Sequence, residues 1–557
     1  MTTNETDSIS PAPEELLPDE LEQTPTVARS TAIMSVATLL SRVTGFIRTW
    51  ATAYALGVGL ASSAFSVANN IPNMIYELLA GGILSAVFIP IFLEIRGRKG
   101  KDEGSRFASH VMNLGMLALL VVALIGILFP QPFIWTQTFL SAKDTAALRD
   151  LSSFFFRFFA LQVVLYGFGA VVTGVLNAQR RFLWVALGPV FNNVVVIATM
   201  FWIGFSVSAN HGVMTTTAKV VLGIGTTGGV LVMFAIMVPS LLKSKFRYHF
   251  ELGWRDAEVR RMIKLAIPAV IYTLTNLIAF SIQTAAASGV SSSGPAIRDF
   301  AFIWASLPYG ILSVALTTAL YTEMSTYAAR HDTLNFKKSM TGGLRSITLL
   351  ILPTAAVLFM LSTQVISLFA VGRFSPDSIP VVAGVLKYWC VSLVFRSVMM
   401  FMIFSFYALK DTKTVAIANA AATVLQVGGY LLFTRGVFGW QGFGYVGIPI
   451  ADGIFFVFLF VLLLYLMRRK VGAFDIKSII VVFFKVAVAS VAGGAVAYVL
   501  QHLLTGPLGT GKVAALAIIA AAGLAGLAVA LLIAWILRVQ ELSVISKITR
   551  RFKRSPA

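Results

Sequence analysis

The chain has 557 residues, of which 57% are hydrophobic and only 12% are charged. Soluble globular proteins carry about 25% charged residues, and a mean hydropathy of +0.83 excludes an ordinary soluble domain. The net charge of +20 would suggest a nucleic-acid partner only if the basic residues shared one surface. They lie between hydrophobic segments instead, so we expect no nucleic-acid partner.

One cysteine and five histidines leave few ligands for a metal or a cofactor. The cysteine, Cys390, lies in an apolar stretch, and the histidines do not follow the spacing of a zinc site. The sequence also lacks paired catalytic carboxylates and a phosphate-binding loop with its lysine. We therefore expect no cofactor, no metal and no enzymatic activity.

In chain order, a polar acidic stretch is followed by apolar runs separated by short charged connections. About twenty mostly apolar residues cross a bilayer core, and this length predicts an all-α polytopic membrane protein with about fourteen transmembrane helices. The predicted helices cover residues 31–56, 64–93, 106–128, 153–176, 183–205, 215–241, 262–287, 299–325, 342–369, 381–408, 414–434, 444–467, 478–503 and 513–537.

Basic residues concentrate in every second connection between these helices. The sixth connection holds Lys243, Lys245 and Arg247, whereas the odd-numbered connections hold one or two basic residues at most. Basic connections face the cytoplasm, so both termini are expected to be cytoplasmic. Residues 1–29 are predicted to be a disordered acidic tail, and residues 539–557 a basic tail.

Two short sequence similarities, which we call echoes, predict an internal duplication. The exit of the fourth predicted helix around Ala178 resembles the exit of the tenth around Ala408, and Pro72 in the second is echoed by Pro308 in the eighth. Both echoes correspond to a shift of six helices, which predicts two parallel six-helix lobes of the kind that transporters use around a central site. The lobes and a final two-helix pair are predicted at residues 30–245, 246–468 and 469–538. The final pair is rich in small residues, which favours either close helix packing or a groove for a lipid tail.

Arg42 and Arg48 lie inside the first apolar run. A charged residue at membrane depth costs about 2.5 kcal/mol or more and usually faces a bundle interior or a water-filled cavity. Six residues of α-helix turn through about 120°, so the two arginines cannot share a narrow stripe, although both could reach a broad cavity. Such a pair can bind an anion, and the planar guanidinium suits phosphate. The alternative is that they extend to the membrane interface.

Other polar residues at membrane depth have two interpretations each. Glu77 could neutralise an arginine, bind a cation or form a structural ion pair, and Arg157 and Arg396 could bind a ligand or anchor helices at the interface. Asn192 and Asn276 could line a cavity, although such residues more often join helices by hydrogen bonds. Asp411 is expected to cap the eleventh helix, with a cation site as the alternative.

Four sequence motifs resemble one known family. They are Ser41-Arg42-Val43-x-Gly45-Phe46-x-Arg48, Ala64-Phe65 before Pro72-Asn73, Phe88-Ile89-Pro90, and Tyr407-Ala408-Leu409-Lys410-Asp411-Thr412-Lys413-Thr414. Together they resemble the MurJ/MviN family of lipid II flippases, within the multidrug/oligosaccharidyl-lipid/polysaccharide exporter superfamily. The resemblance covers residues from about 30 to 540.

The resemblance implies a transporter that moves lipid II, an undecaprenyl-pyrophosphate-linked muropeptide, from the inner to the outer leaflet by alternating access. In that family the arginines of the first helix face the pyrophosphate, a role that falls here on Arg42 and Arg48. Asn73 follows Pro72 in the second of these motifs, so we include it among the candidate site residues. Membrane lipids are expected partners, with a monovalent cation or the membrane potential as energy source.

Some charged positions of the family pattern are not charged here. This chain has Ser63, Phe302 and Ile303 where many members carry acidic or basic residues. A less charged cavity is therefore predicted. The alternatives are a flippase for another polyprenyl-linked glycan and a cation-coupled drug exporter of the same superfamily.

Overall fold

The computed structural model describes residues 25–79, 87–141, 146–436, 439–509 and 511–542, with side chains from residue 36 onward except those of Pro268 and Tyr272. Every regular element in these ranges is helical. The predicted all-α class is therefore confirmed. Most of the two predicted tails, residues 1–24 and 543–557, lies outside the described residues.

A first bundle is formed by nine helices. They are α1 Pro25–Leu56, α2 Leu60–Glu77, α3 Ile89–Lys99, α4 Lys101–Leu128, α5 Pro130–Thr138, α6 Ala146–Ala178, α7 Phe182–Ala209, α8 Thr216–Ala235 and α9 Val238–Lys243. The long helix α6 contacts α2, α4 and α8, and α1 lies along α7. Helix α1 begins six residues before the predicted start, at Pro25, because proline is well suited to a first helical turn.

A second bundle follows. Its helices are α10 Ala257–Val290, α11 Gly294–Pro308, α12 Val314–Ala329, α13 Thr333–Met360, α14 Ser362–Ser367, α15 Ile379–Ala408, α16 Thr412–Arg435 and α17 Gly447–Val471. Helix α15 lies at the centre, against α11, α13 and α17. Aspartates Asp256, Asp332 and Asp411 precede α10, α13 and α16, and each carboxylate accepts a backbone N–H of the first turn, which is the usual function of an N-cap residue.

The last two helices, α18 Ile476–Leu508 and α19 Lys512–Ile536, pair with each other and contact α13. Gly493 and Gly526 lie at their crossing, where a Cβ atom on Gly493 would approach the Gly526 carbonyl oxygen to 2.4 Å. Glycine is therefore required there, and the small-residue composition of this pair reflects close backbone packing.

Twelve helices in the described ranges are long and apolar enough to cross a membrane. They correspond in order to the third to fourteenth predicted helices. The first predicted helix is α1, and the second is divided between α2 and α3, with residues 80–86 outside the described ranges. The short helix α5 was not predicted. Helices α9 and α14 lie largely within the predicted helices 215–241 and 342–369, where no break was predicted.

The exits of α6 and α15, around Ala178 and Ala408, share a backbone geometry that also ends α7, α12 and α19. Arg180 and Lys410, each two residues beyond the alanine, have φ angles of 58° and 57°. The next amide, of Arg181 or Asp411, donates to a carbonyl five residues earlier at 2.9 or 3.0 Å. This is a left-handed helix terminus, formed at the same place in both bundles.

Candidate functional site: a polar cavity between the two bundles

A cavity of about 370 Å³ lies between the first bundle and α11 of the second. Its polar lining residues are Arg48, Thr49, Thr52, Ser62, Ser66, Asn69, Asn70, Asn73, Tyr166, Asn192, Thr226, Asp299 and Ser306. Only Arg48 and Asp299 in this lining are charged. The cavity thus offers many hydrogen-bonding groups and one guanidinium.

Arg48 is held in the cavity wall by α1. It forms no ion pair within the described part of the chain, and Tyr166 lines the same cavity. The Tyr166 hydroxyl donates to Asn73 Oδ1 at 2.9 Å. The guanidinium donors of Arg48 are therefore available to an anionic ligand beside Asn73.

Two adjacent asparagines of α7 have different surroundings. Asn193 is buried and donates to Thr44 Oγ1 at 3.0 Å, which joins α7 to α1. Asn192 lines the cavity, and its buried Oδ1 has no hydrogen-bond partner among the described residues. Gly229 makes room for it, because a Cβ atom there would lie 2.4 Å from Asn192 Oδ1. An unsatisfied buried carbonyl is costly, so Asn192 is suited to accept a hydrogen bond from a ligand.

Arg42 lies outside this cavity lining. Its exposed side chain reaches the second bundle at Gly310, in a π-helical turn from Tyr309 to Ser313. A Cβ atom on Gly310 would lie 2.0 Å from Arg42 Nη1. The two arginines thus diverge around α1, as their spacing predicts, and Arg42 lies at a contact between the bundles.

Four other predicted site residues also lie outside the cavity lining. Glu77 and Arg157 are exposed, and no ion pair is formed by either one within the described ranges. Asn276 accepts a hydrogen bond from Asn419 Nδ2 at 3.2 Å, which joins α10 to α16. Arg396 lies over the ring of Tyr309, 4.0 Å from the ring centre, and also over Phe302, which lines the cavity.

Asp411 caps α16, as predicted. Its Oδ1 accepts the backbone N–H of Thr414 at 3.0 Å, and its Oδ2 accepts the Thr414 hydroxyl at 2.8 Å. Lys470 of α17 forms an ion pair with the same carboxylate. These three contacts occupy much of the hydrogen-bond acceptor capacity of the Asp411 carboxylate.

Hydrogen bonds that join α1 and α2 to α11 and to residues 368–373 lie at one end of the cavity, which we call the closed end. Trp50 Nε1 donates to the Leu368 carbonyl at 3.1 Å, and the Arg373 amide donates to the Tyr54 carbonyl at 3.0 Å. Two more contacts join α2 to α11, from Ala296 N to Ser63 Oγ and from Ser66 Oγ to Asp299 Oδ2. Elsewhere, ion pairs of Lys99 with Glu258 and of Glu94 with Arg261 join α3 to α10. The closed end therefore separates the cavity from one side of the membrane.

The Asp299 carboxylate is held in place by the neighbouring residue, Arg298. Arg298, which is 3% exposed, donates to Asp299 Oδ1 from Nε at 2.9 Å and from Nη2 at 2.7 Å. Its Nη1 also donates to Thr284 Oγ1 at 2.6 Å. Sequence reasoning missed this pair because it lies at the edge of a predicted helix, where charged residues are ordinary.

A second polar cluster lies inside the second bundle, around Asp452 of α17. Asp452 is 2% exposed and accepts hydrogen bonds from Gln283 at 2.8 Å, from Gln426 at 2.7 Å and from the Tyr430 hydroxyl. It forms no ion pair within the described residues. Sequence reasoning missed Asp452, although a lone aspartate in an apolar run carries the same signal that singled out Arg42.

The family described as lipid II flippase MurJ matches residues 52–519. This match covers most of the chain. The chain belongs to the MurJ family.

Curated MurJ relatives span the same region. A probable lipid II flippase MurJ from Rhizobium meliloti is 30% identical over 71% of this chain and 73% of its own length. The lipid II flippase MurJ of Burkholderia cenocepacia is 28% identical over 80% of this chain and 84% of its own length.

Solved structures share the fold. A lipid II flippase MurJ in an inward closed conformation has a TM-score of 0.75 at 22% identity, covering 91% of this chain and 98% of that one. An inward-facing multidrug resistance MATE transporter of the MOP superfamily has a TM-score of 0.61 at 16% identity, covering 77% of this chain and 94% of that one. The arrangement of two helical bundles is thus common to MurJ and MATE proteins.

Proposed function

We propose that this protein is a transporter, not an enzyme, that moves lipid II from the inner to the outer leaflet by alternating access. The observation that carries the proposal is the MurJ family match across residues 52–519. The cavity supports it, because an arginine without a carboxylate partner faces a polar space between two bundles. Pyrophosphate is an anion with the acceptor geometry that a guanidinium binds well.

We propose that Arg48 binds the pyrophosphate and that Asn73 and Asn192 orient the headgroup by hydrogen bonds. Arg42, at the contact with Gly310, would meet the headgroup where the bundles separate. Ligand-binding roles for Glu77, Arg157, Asn276 and Arg396 remain predictions, and their positions outside the cavity lining favour structural roles.

We propose that both termini face the cytoplasm of a bacterial cell, which makes the closed end the outer end. The contacts there would have to break when the cavity opens outward. The conformation described above would then be the one that receives lipid II from the inner leaflet.

Energy coupling would act through the second bundle. A monovalent cation or a proton at Asp452 would neutralise a carboxylate that is expensive to bury while charged. Asp411 is less suited to this role, because Lys470 already neutralises it. The membrane potential is the alternative source of energy.

A flippase for another polyprenyl-linked glycan and a cation-coupled drug exporter are the competing functions. The fold shared with MATE transporters supports the exporter. The exporter would need no polyprenyl binding, so cross-linking of a polyprenyl chain to α18 or α19 would distinguish a flippase from it.

The deciding experiment is a transport assay in liposomes that contain lipid II. The purified protein is expected to expose lipid II to an external probe, and Arg48→Ala is expected to lose this activity. Arg48→Lys should recover it poorly, because an ammonium lacks the bidentate geometry. Arg157→Ala is the matched control, since it removes an arginine outside the cavity. No movement of lipid II by wild-type protein, or full activity of Arg48→Ala, would contradict the proposal.

A further inference from the structure

The segment between the two bundles, residues 245–256, presents a row of apolar side chains to the outside. Tyr248, Phe250, Leu252 and Trp254 are 52%, 91%, 47% and 60% exposed. They occupy alternate positions along the segment, which turns at Gly253 before Trp254. We call residues 245–256 the interbundle segment.

The opposite side of the interbundle segment is fixed to α4. The amide of His249 donates to Ser109 Oγ at 3.1 Å, and Asn113 Nδ2 donates to the carbonyls of His249 and Glu251 at 2.9 and 2.8 Å. Gly253 is required for this approach, because a Cβ atom there would lie 2.2 Å from the His110 ring. The outward direction of the apolar side chains is thus set by hydrogen bonds.

A buried histidine strengthens the attachment. His110, which is 5% exposed, lies 2.8 Å from Asp256 and 3.1 Å from Glu251. Hydrogen bonds from His110 and then Arg106 lower the pKa of Glu251 below its ordinary value. Glu251 therefore stays charged and bound to α4 around neutral pH.

The attachment to α4 also sets the depth of the interbundle segment. Asn113 is the last strongly polar residue of α4 before the apolar run from Leu114 to Leu128. The Tyr248 hydroxyl donates to Asn113 Oδ1 at 2.7 Å. The exposed side chains therefore lie beside the start of this apolar run, and amphipathic aromatic residues favour the boundary between hydrocarbon and headgroups.

Basic side chains accompany the apolar row. Arg247 is 80% exposed, and its contact with Asp102 is long, at 3.7 Å. Arg255 lies over the ring of Trp254, 4.5 Å from the ring centre. The acidic members of the segment, Glu251 and Asp256, are occupied by His110 on the other side. The outward side is consequently apolar and cationic, and it complements an anionic bilayer surface.

We propose that the interbundle segment is a membrane anchor, in which Tyr248, Phe250, Leu252 and Trp254 enter the headgroup region while Arg247 and Arg255 bind anionic phospholipid. The anchor holds the connection between the bundles at the surface of the membrane. It is independent of the transported molecule.

The anchor can be tested with a spin label on Phe250→Cys in a Cys390→Ala background, reconstituted into bilayers. Accessibility to oxygen, which partitions into lipid, is compared with accessibility to a water-soluble nickel chelate. The matched control is Thr333→Cys, at the exposed first residue of α13. The label at 250 is expected to be several-fold less accessible to the chelate than the label at 333.

The role of the two arginines is tested by changing the lipid composition. Adding phosphatidylglycerol to phosphatidylcholine bilayers is expected to bury the label at 250 more deeply, and Arg247→Gln with Arg255→Gln should remove this effect. Equal chelate accessibility at 250 and 333 in both bilayers would overturn the proposal. Protection that appears only at high protein-to-lipid ratio would assign the surface to a second copy of the chain, and would overturn it too.

Discussion

The hydroxyl of Ser66 provides the sharpest test of how the closed end is held. Ser66→Ala removes one hydrogen bond to the Asp299 carboxylate and leaves Asp299 with both donors of Arg298. A hydrogen bond to a charged group contributes about 1.5 to 3 kcal/mol. Because cavity water can replace the lost hydroxyl in part, we expect a loss of about 1.5 kcal/mol, the lower end of this range. A change of about 1.4 kcal/mol alters an equilibrium constant tenfold. The population open at this end should therefore rise roughly tenfold.

Electron–electron distance measurements can detect this shift. Spin labels on Val213→Cys and Asp377→Cys, in a Cys390→Ala background, lie on exposed connections of the first and second bundles. Ser66→Ala should increase the fraction of long distances.

Ser62→Ala is the matched control for this measurement, because the Ser62 hydroxyl bonds only to Gly59 of its own bundle among the described residues. An unchanged distance distribution in Ser66→Ala would refute the idea that the hydrogen bond from Ser66 to Asp299 helps to hold the closed end together. Asp299→Asn is less informative, since it would leave the buried Arg298 with a weaker acceptor.

Three further predictions concern transport and stability. Arg42→Ala should abolish transport without preventing membrane insertion, and Arg42→Lys should rescue transport poorly. Transport is measured by complementation of a flippase-depleted strain. Full growth with Arg42→Ala would contradict a role in headgroup binding. Asp452→Asn should remove the stimulation of transport by an imposed cation or proton gradient in liposomes, and an unchanged response would assign coupling elsewhere. Gly169→Ala should destabilise the first bundle by about 1 to 3 kcal/mol, because the added Cβ would lie 2.0 Å from the Phe234 ring. Gly228→Ala is the control, because a Cβ there meets open space. Thermal unfolding of the two variants in detergent measures the difference, and equal stabilities would contradict the prediction.

The long helices were predictable because each needs an apolar run of bilayer length. Helix α5 was not predicted, because it is too short to have a transmembrane signal. Helices α9 and α14 were merged with their longer neighbours, because the apolar runs continue through them. The beginning of α1 was misplaced for a related reason, since Pro25 starts a helix before the apolar run begins.

The cavity was predictable in part. A charge inside an apolar run singled out Arg48, and the turn of an α-helix separated it from Arg42. The partners of a charge come from distant parts of the chain, which is why the contact of Asp299 with Ser66 could not be foreseen. Asp452 was available to the same reasoning, because it lies alone in the apolar sequence of α17.

The charge balance of the cavity lining has an electrical consequence under the proposed function. Arg48 and Asp299 sum to zero, so the empty carrier returns without net charge from this site. Loading pyrophosphate makes the outward step electrogenic, with negative charge leaving the cell. An inside-negative potential contributes about 2.3 kcal/mol per charge per 100 mV. Such a potential would favour the loaded half of the cycle and would not act on the net charge of this site in the empty half.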